Sequence, residues 1–243
     1  MTSVGHDTTG SGSGFVEPHP DIVSANPGGA ADPLGESVLD PLLPGACVFE
    51  PHDVRVVIGR GQDPTREVVI TACRTDRIPV HRRVAGGGTV VLAPGMVVVA
   101  VRLAGGMHAP DDLFALMNGA LIPAVAAACG ARVACRGHGD LALKGADGVE
   151  RKVLGASLRQ SARCSVYLGV FLVADAVALM ERYLAHPSRE PGYRSGRGHR
   201  DFCADLGSVG CTVPRLIAEL TPRLAELVDA HPQSAGPRGC AVT

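Results

Sequence analysis

The sequence is nearly devoid of lysine: of its 23 basic residues 21 are arginine, and lysine occurs only at Lys144 and Lys152. A bias this strong is of the kind that genome base composition imposes. A retained lysine then marks a place for a compact, mobile ammonium that the flat guanidinium fork cannot replace. Lys144 reads as a solvated surface residue and Lys152 as the chemical one. A basic excess is also missing. With a formal net charge of −1, the chain lacks the electrostatic footprint of a nucleic-acid-binding surface, and no nucleic-acid partner is expected. The eight cysteines include no CxxC pair. That pattern indicates neither structural zinc nor a disulfide framework, so no metal site is expected and the thiols are expected reduced, in the cytoplasm. No basic start followed by an apolar stretch supports a secretory signal.

Residues 1–30, rich in Gly, Ser, Pro and Asn, read as a disordered leader, because their few apolar residues cannot offset the entropy of ordering. Residues 31–230 read as a single catalytic domain, since no linker interrupts the pattern after about residue 45, and residues 231–243 as a frayed tail. The long uncharged stretch before Arg132 contains Asn118, Gly119, Pro123 and Gly130. It is expected to be a buried helix and not a membrane span, and no membrane partner is expected.

Local patterning predicts a short helix within 31–43, limited by Pro33 and Pro41. A buried strand over 54–58 ends at Gly59, a short element covers 68–72, and 78–81 leads into the glycine-rich run. The runs TVVLA and MVVVAV flank Pro94-Gly95 and read as a hairpin, apolar enough to be covered on both faces. Asp111 and Asp112 open a helix reaching about Cys129, with Gly130 as its stop. Strands follow at 132–135, 141–143, 152–163 and 165–173, then a helix over 175–184. Residues 186–201 carry too much Gly, Pro and Arg for regular structure and read as a mobile loop. Thr212 caps a final helix, with Pro214 in its first turn, running to about Val228. The class is α+β, a mixed, largely antiparallel sheet with flanking helices.

Two segments carry chemistry. In RRVAGGGTVV, from Arg82, three adjacent glycines are poor in any regular element but let main-chain N–H groups approach a ligand closely. Arg82 and Arg83 beside them favour a carboxylate or phosphate. Strand, not helix, follows the glycines, so this is not a Walker-type loop. In GVERKVLGASLRQ, Lys152 opens a strand after a turn. Strict alternation puts Lys152, Leu154 and Ala156 on one face and Val153, Gly155 and Ser157 on the other. A lysine in a sheet-lined pocket can pair with negative charge developing on a carboxylate or phosphate. A third segment, GRGQDP, allows a tight bend at Gly59 and Gly61 with Arg60 or Gln62 within reach of a ligand, and alone is no more than a strand-ending turn.

The order VVIGRGQDP, RRVAGGGTVVLAPG, RGHGDLAL, ERKVLGASLRQ, VYLGVFLVADAVALM, HRDFCADL, over about residues 47–228, resembles the catalytic domain of lipoate-protein ligases. These belong to the biotin/lipoate protein ligase superfamily, and the resemblance implies a class II aminoacyl-tRNA-synthetase/biotin-ligase-like single catalytic domain. It implies activation of lipoate or octanoate with ATP and Mg2+ to an acyl-adenylate, then transfer to a lysine of an acceptor lipoyl domain. Lys152 is the implied catalytic residue. The implied acyl-adenylate contacts are Arg82, Arg83, Gly86, Gly87, Gly88, Thr89, Asp140, Gly155, Ala156 and Arg159. Longer members continue into an accessory domain, so a separate accessory subunit is an expected partner.

The chain departs from the pattern. Leu92 stands for a histidine, Gly139 for an asparagine, Tyr167-Leu168 for a histidine pair, and Ala85 and Leu154 for serines. Two alternatives stay open. One is an ATP-independent octanoyltransferase using a cysteine thioester, with Cys135, five residues before Asp140, as candidate nucleophile and Cys203 behind it. The other is a non-catalytic domain that binds lipoate or biotin.

Overall fold

The computed structural model describes residues 22–24, 34–104, 109–174 and 176–231. Among the described residues, ten strands form two sheets. The larger is antiparallel, in the order β2 (Ala46–Phe49), β6 (Met96–Ala104), β10 (Cys164–Leu172), β9 (Glu150–Gln160), β8 (Asp140–Lys144) and β7 (Val133–Arg136). The smaller runs β1 (Ile22–Ser24), β4 (Val80–Arg82), β3 (Arg55–Ile58), β5 (Val90–Leu92), with β1 and β3 parallel to β4 and β5 antiparallel to β3.

The apolar run of β6 is covered on both faces, as its composition predicts. Val97, Val99, Val101 and Leu103 enter one core, while Met96 and Val98 enter a second. The first core holds α3 (Pro110–Cys129) and α6 (Val213–Ala230), the second the small sheet and α4 (Ala176–Tyr183). Burying each such valine contributes about 1.5–3 kcal/mol, which makes β6 the spine of the molecule. Helix α3 opens on Asp111 and Asp112 and ends at Gly130, whose φ of 71° gives the left-handed stop. It is long and apolar enough to cross a membrane by length and composition. In the fold, Leu113, Met117, Leu121 and Val125 pack one face into the core, against Leu216, Leu220 and Leu224 of α6. Thr212 stands at the α6 N-cap, but its side chain makes no capping bond.

Several local readings are corrected. β5 and β6 do not form a hairpin; they belong to different sheets. Gly95, at φ 88°, accepts from the N–H groups of Val173 (3.1 Å) and Ala174 (2.8 Å), and a Cβ there would lie 2.6 Å from the Ala174 carbonyl. The turn is thus pinned to the end of β10, and the chain passes from one sheet to the other. The short element near 68–72 is two helices, α1 (Pro64–Glu67) and α2 (Ile70–Asp76), and the helix expected within 31–43 is a single 3-10 turn, Glu36–Leu39. Strand β2 escapes the patterning because only four half-buried residues make it. Ile22–Ser24, within the span read as a leader, pairs with β4. The rest of that span and the tail beyond His231 lie outside the described residues.

Candidate active site

Lys152 is placed by a β-bulge. Leu141 pairs with Leu154 but Ala142 pairs with Lys152, which leaves Val153 as an extra residue in β9. Val153 and Leu154 are both fully buried in the core. The strict alternation expected from the sequence therefore fails here, as bulges make it fail. Leu154 and Ala156 turn to the core, and Lys152 shares its face with Gly155. A Cβ on Gly155 would lie 2.6 Å from both Cε and Nζ of Lys152. The ammonium is 2.8 Å from Asp140 Oδ1. Asp140 Oδ2 accepts the hydroxyl of Tyr193 at 2.8 Å.

The glycine-rich segment is built into the GRGQDP turn. Arg82 donates to the carbonyls of Gly59 (3.1 Å), Arg60 (3.0 Å) and Gln62 (2.8 Å). Arg83 donates to Gly86 (2.7 Å) and Gly88 (2.7 Å); burial pulls its pKa down to about 10, so it stays charged at neutral pH. Gln62 accepts from Gly59 N–H (3.1 Å) and Thr89 hydroxyl (2.8 Å). At Gly59 a Cβ would lie 2.1 Å from the Gly87 carbonyl, so only glycine fits. Both arginines thus direct donors at main-chain carbonyls, Arg82 through Nη1 and Arg83 through Nε and Nη2, shaping the loop before any ligand arrives.

A cavity of about 270 Å3 lies over β9 and β10, walled by Gly88–Thr89–Val90–Val91, by the 137–140 turn and by the segment after α4. A smaller one of about 90 Å3 adjoins it and adds Leu34, Val98 and Leu168. Lys152, Gly88 and Gly155 line both, so the ammonium stands where the two meet, with apolar walls on either side.

Residues 186–201 are not free of regular structure. The segment forms a 3-10 turn, Gly192–Arg194, and the helix α5, His199–Phe202. Arg197 donates to the carbonyls of Arg194, Glu150, Asp201 and Tyr193. The guanidiniums of Arg194 and Arg197 lie 4.8 and 5.2 Å from the Phe202 ring centroid. The arginines that suggested a loop are the groups that hold it together.

Of the residues expected at the site, Gly88, Thr89, Asp140, Lys152, Gly155 and Ala156 line the main cavity and Arg83 the smaller one. Arg82, Gly86 and Gly87 shape the loop from outside those walls. Arg159 is seven residues along β9 from Lys152, roughly 20 Å at strand rise, and lines neither cavity. Cys135 is exposed on β7, its sulfur accepting from Asn118 at 3.3 Å. The cysteine at the cavity is Cys203, bridged to Lys152 along the main chain. Cys203 was the second candidate nucleophile, whereas Tyr193, Arg194, His199 and Phe202 were missed. The available signal was that Tyr193 is the only Phe or Tyr in the Gly/Arg-rich run and that Phe202 directly follows the run. Among the described residues, no three His, Cys, Asp or Glu side chains group to hold a metal.

Burial, then the charge of Arg194, pushes the pKa of His199 down to about 4 from 6.5. In the unfolded chain this histidine takes up a proton as pH falls through its ordinary value, whereas in the fold it stays neutral until about 4. Stability is therefore lost as pH falls between the two values, by about 2 kcal/mol between pH 7 and pH 5. Denaturant titrations at both pH values should show that loss in the native chain and a loss smaller by that amount in His199→Gln.

Residues 39–214 match the family model of the lipoyl protein ligase A/B catalytic domain. No curated protein sequence matches significantly. Among solved structures, the chain resembles one from an archaeal lipoylation system of Thermoplasma acidophilum, described as a bi-partite lipoate protein ligase and its E2 lipoyl domain. Identity is 20%, with 76% of this chain and 71% of that one covered, at a TM-score of 0.62. It also resembles a lipoate-protein ligase A bound with ATP (19% identity, 76% and 72% covered, TM-score 0.62). A third likeness is to P. falciparum LipL1 in complex with lipoate (15% identity, 79% and 52% covered, TM-score 0.59). At these identities the likenesses establish the α+β fold, while the family match spans more than half of the sequence: the chain belongs to the lipoyl protein ligase A/B catalytic domain family.

Proposed function

We propose that this protein activates lipoate, or octanoate, with ATP and passes the acyl group to a lysine of an acceptor lipoyl domain in the cytoplasm. The observation that carries the reading is the Lys152 ammonium, held by Asp140 where two apolar-walled cavities meet beside Gly88 and Thr89. In the first step the carboxylate attacks the α-phosphorus and pyrophosphate leaves. In the second, the acceptor amine attacks the acyl carbonyl and AMP leaves. Negative charge builds at neighbouring oxygens in both steps, and a small ammonium on a flexible stem can follow it. Magnesium enters with the triphosphate as part of the substrate. Relatives of this fold solved with ATP and with lipoate support the substrate classes, and the bi-partite archaeal ligase supports a separate accessory subunit.

The test is incubation of the chain with MgATP, lipoate and an apo lipoyl domain, followed by intact-mass measurement. A lipoyl adduct on the acceptor, with pyrophosphate released only when lipoate is present, is expected. Neither product, with or without an added accessory subunit, would overturn the reading.

One observation favours a second reading, acyl transfer from a carrier protein without ATP. Cys203 lines the cavity next to Lys152. Burial pushes its thiol up to about 11, against the pull of Lys152, so a base would have to take its proton. Octanoyl carrier protein alone should then leave a thioester adduct, lost in Cys203→Ala.

A further inference from the structure

Asp140 opens β8, and the residue before it cannot help to hold it. Gly139 has no side chain, and a Cβ there would lie 2.5 Å from the Phe114 ring. A carboxylate with one partner can still turn about its terminal torsion, which is broad; two partners on opposite oxygens fix its plane. The second partner of Asp140 comes from 53 residues away, the hydroxyl of Tyr193 on Oδ2 at 2.8 Å, while Lys152 takes Oδ1 at 2.8 Å. The Asp140 side chain is 13% exposed and that of Lys152 25%, dry enough for such bonds to outcompete water. Burial, and then the charge of Asp140, holds the Tyr193 phenol well above its ordinary pKa, so it remains a donor at any working pH.

Tyr193 is itself fixed by the segment that carries it. Arg197 holds its carbonyl at 2.8 Å, and its ring lies 5.0 Å from that of Phe202, centroid to centroid. Phe202 in turn is flanked by the guanidiniums of Arg194 and Arg197. The segment is thereby connected to the ammonium through Tyr193 and Asp140.

Taking Lys152 as the group that meets the reacting oxygens, as proposed above, we infer that Tyr193 is a positioning residue: its hydroxyl fixes Asp140, which holds the ammonium, so that the ammonium is in place only when the 186–203 segment is seated. Binding and chemistry are coupled by this chain of bonds, since whatever displaces the segment also frees the lysine.

Tyr193→Phe removes the hydroxyl and keeps the ring packing. Losing one bond to a charged group should lower kcat for acceptor modification about tenfold with little change in KM for the acid. The scarcity of lysine supplies a readout that needs no activity. Trace acetylation with acetic anhydride, read by peptide mass spectrometry, reports Lys152 against Lys144 as an internal reference in the same molecule. The Lys152 to Lys144 labelling ratio should rise several-fold in Tyr193→Phe. It should rise no further when the same change is made in Asp140→Asn, because Tyr193 acts through Asp140. An unchanged ratio in Tyr193→Phe, or additive effects in the double variant, would overturn the inference. A native chain inactive in every assay format would instead sink the acyl-transfer reading and leave the labelling ratio to decide the role of Tyr193.

Discussion

Replacing Lys152 by alanine is expected to lower lipoate-dependent modification of an acceptor domain by about 10²–10³-fold, the usual consequence of removing one donor aimed at developing charge. Lys152→Arg is expected to be no milder. The ammonium occupies a space made by the missing side chain of Gly155, with Cε and Nζ 2.6 Å from where a Cβ would stand. A planar fork does not fit there without leaving Asp140. In a chain with 21 arginines to two lysines, arginine is the substitution that the chain's own bias would favour. The two steps can be separated. If Lys152 serves both, Lys152→Ala slows lipoate-dependent pyrophosphate release and also slows transfer from synthetic lipoyl-AMP. Transfer from the preformed adenylate at the native rate would remove Lys152 from the second step.

Much of this was legible before any coordinates. The apolar run of β6 announced a strand covered on both faces, and Asp111, Asp112 and Gly130 marked the ends of α3, because these signals are local: each depends on the residues that carry it. Lys152 stood out by scarcity. What was not legible depends on partners. Pro94-Gly95 shows that the chain turns, but β5 and β6 join different sheets because Gly95 is held by Val173 and Ala174, nearly eighty residues later. The bulge at Val153 is set by the register of β8 on β9, and no residue in the apolar pair Val153-Leu154 announces it. Arg82 and Arg83 were read as groups that favour an anionic ligand such as a carboxylate or phosphate. The acceptors turned out to be the carbonyls of the adjoining turn and of their own loop. Likewise a Gly- and Arg-rich composition predicts a segment without an intrinsic element, but not that two of its arginines would close on Phe202, the residue that follows it.

Gly155→Ala is expected to separate stability from activity. The backbone of Gly155 lies outside the left-handed region, so alanine meets no conformational strain, and it restricts the unfolded chain, a change worth about 0.4–1 kcal/mol in favour of the fold. The atoms that a new Cβ would strike are the far end of the Lys152 side chain, at 2.6 Å. That end can swing away without moving the sheet, but in doing so it leaves Asp140 and the junction of the two cavities. A displacement of about 1 Å at a catalytic group can cost about 10²-fold in rate, so acceptor modification should fall by that order while the melting temperature stays level or rises. The same swing should raise the acetylation of Lys152 relative to Lys144, which connects the lost rate to the ammonium. If stability fell together with activity, the missing side chain at 155 would be a requirement of the sheet. The place of the ammonium would then rest on Asp140 and Tyr193 without help from the strand beneath it.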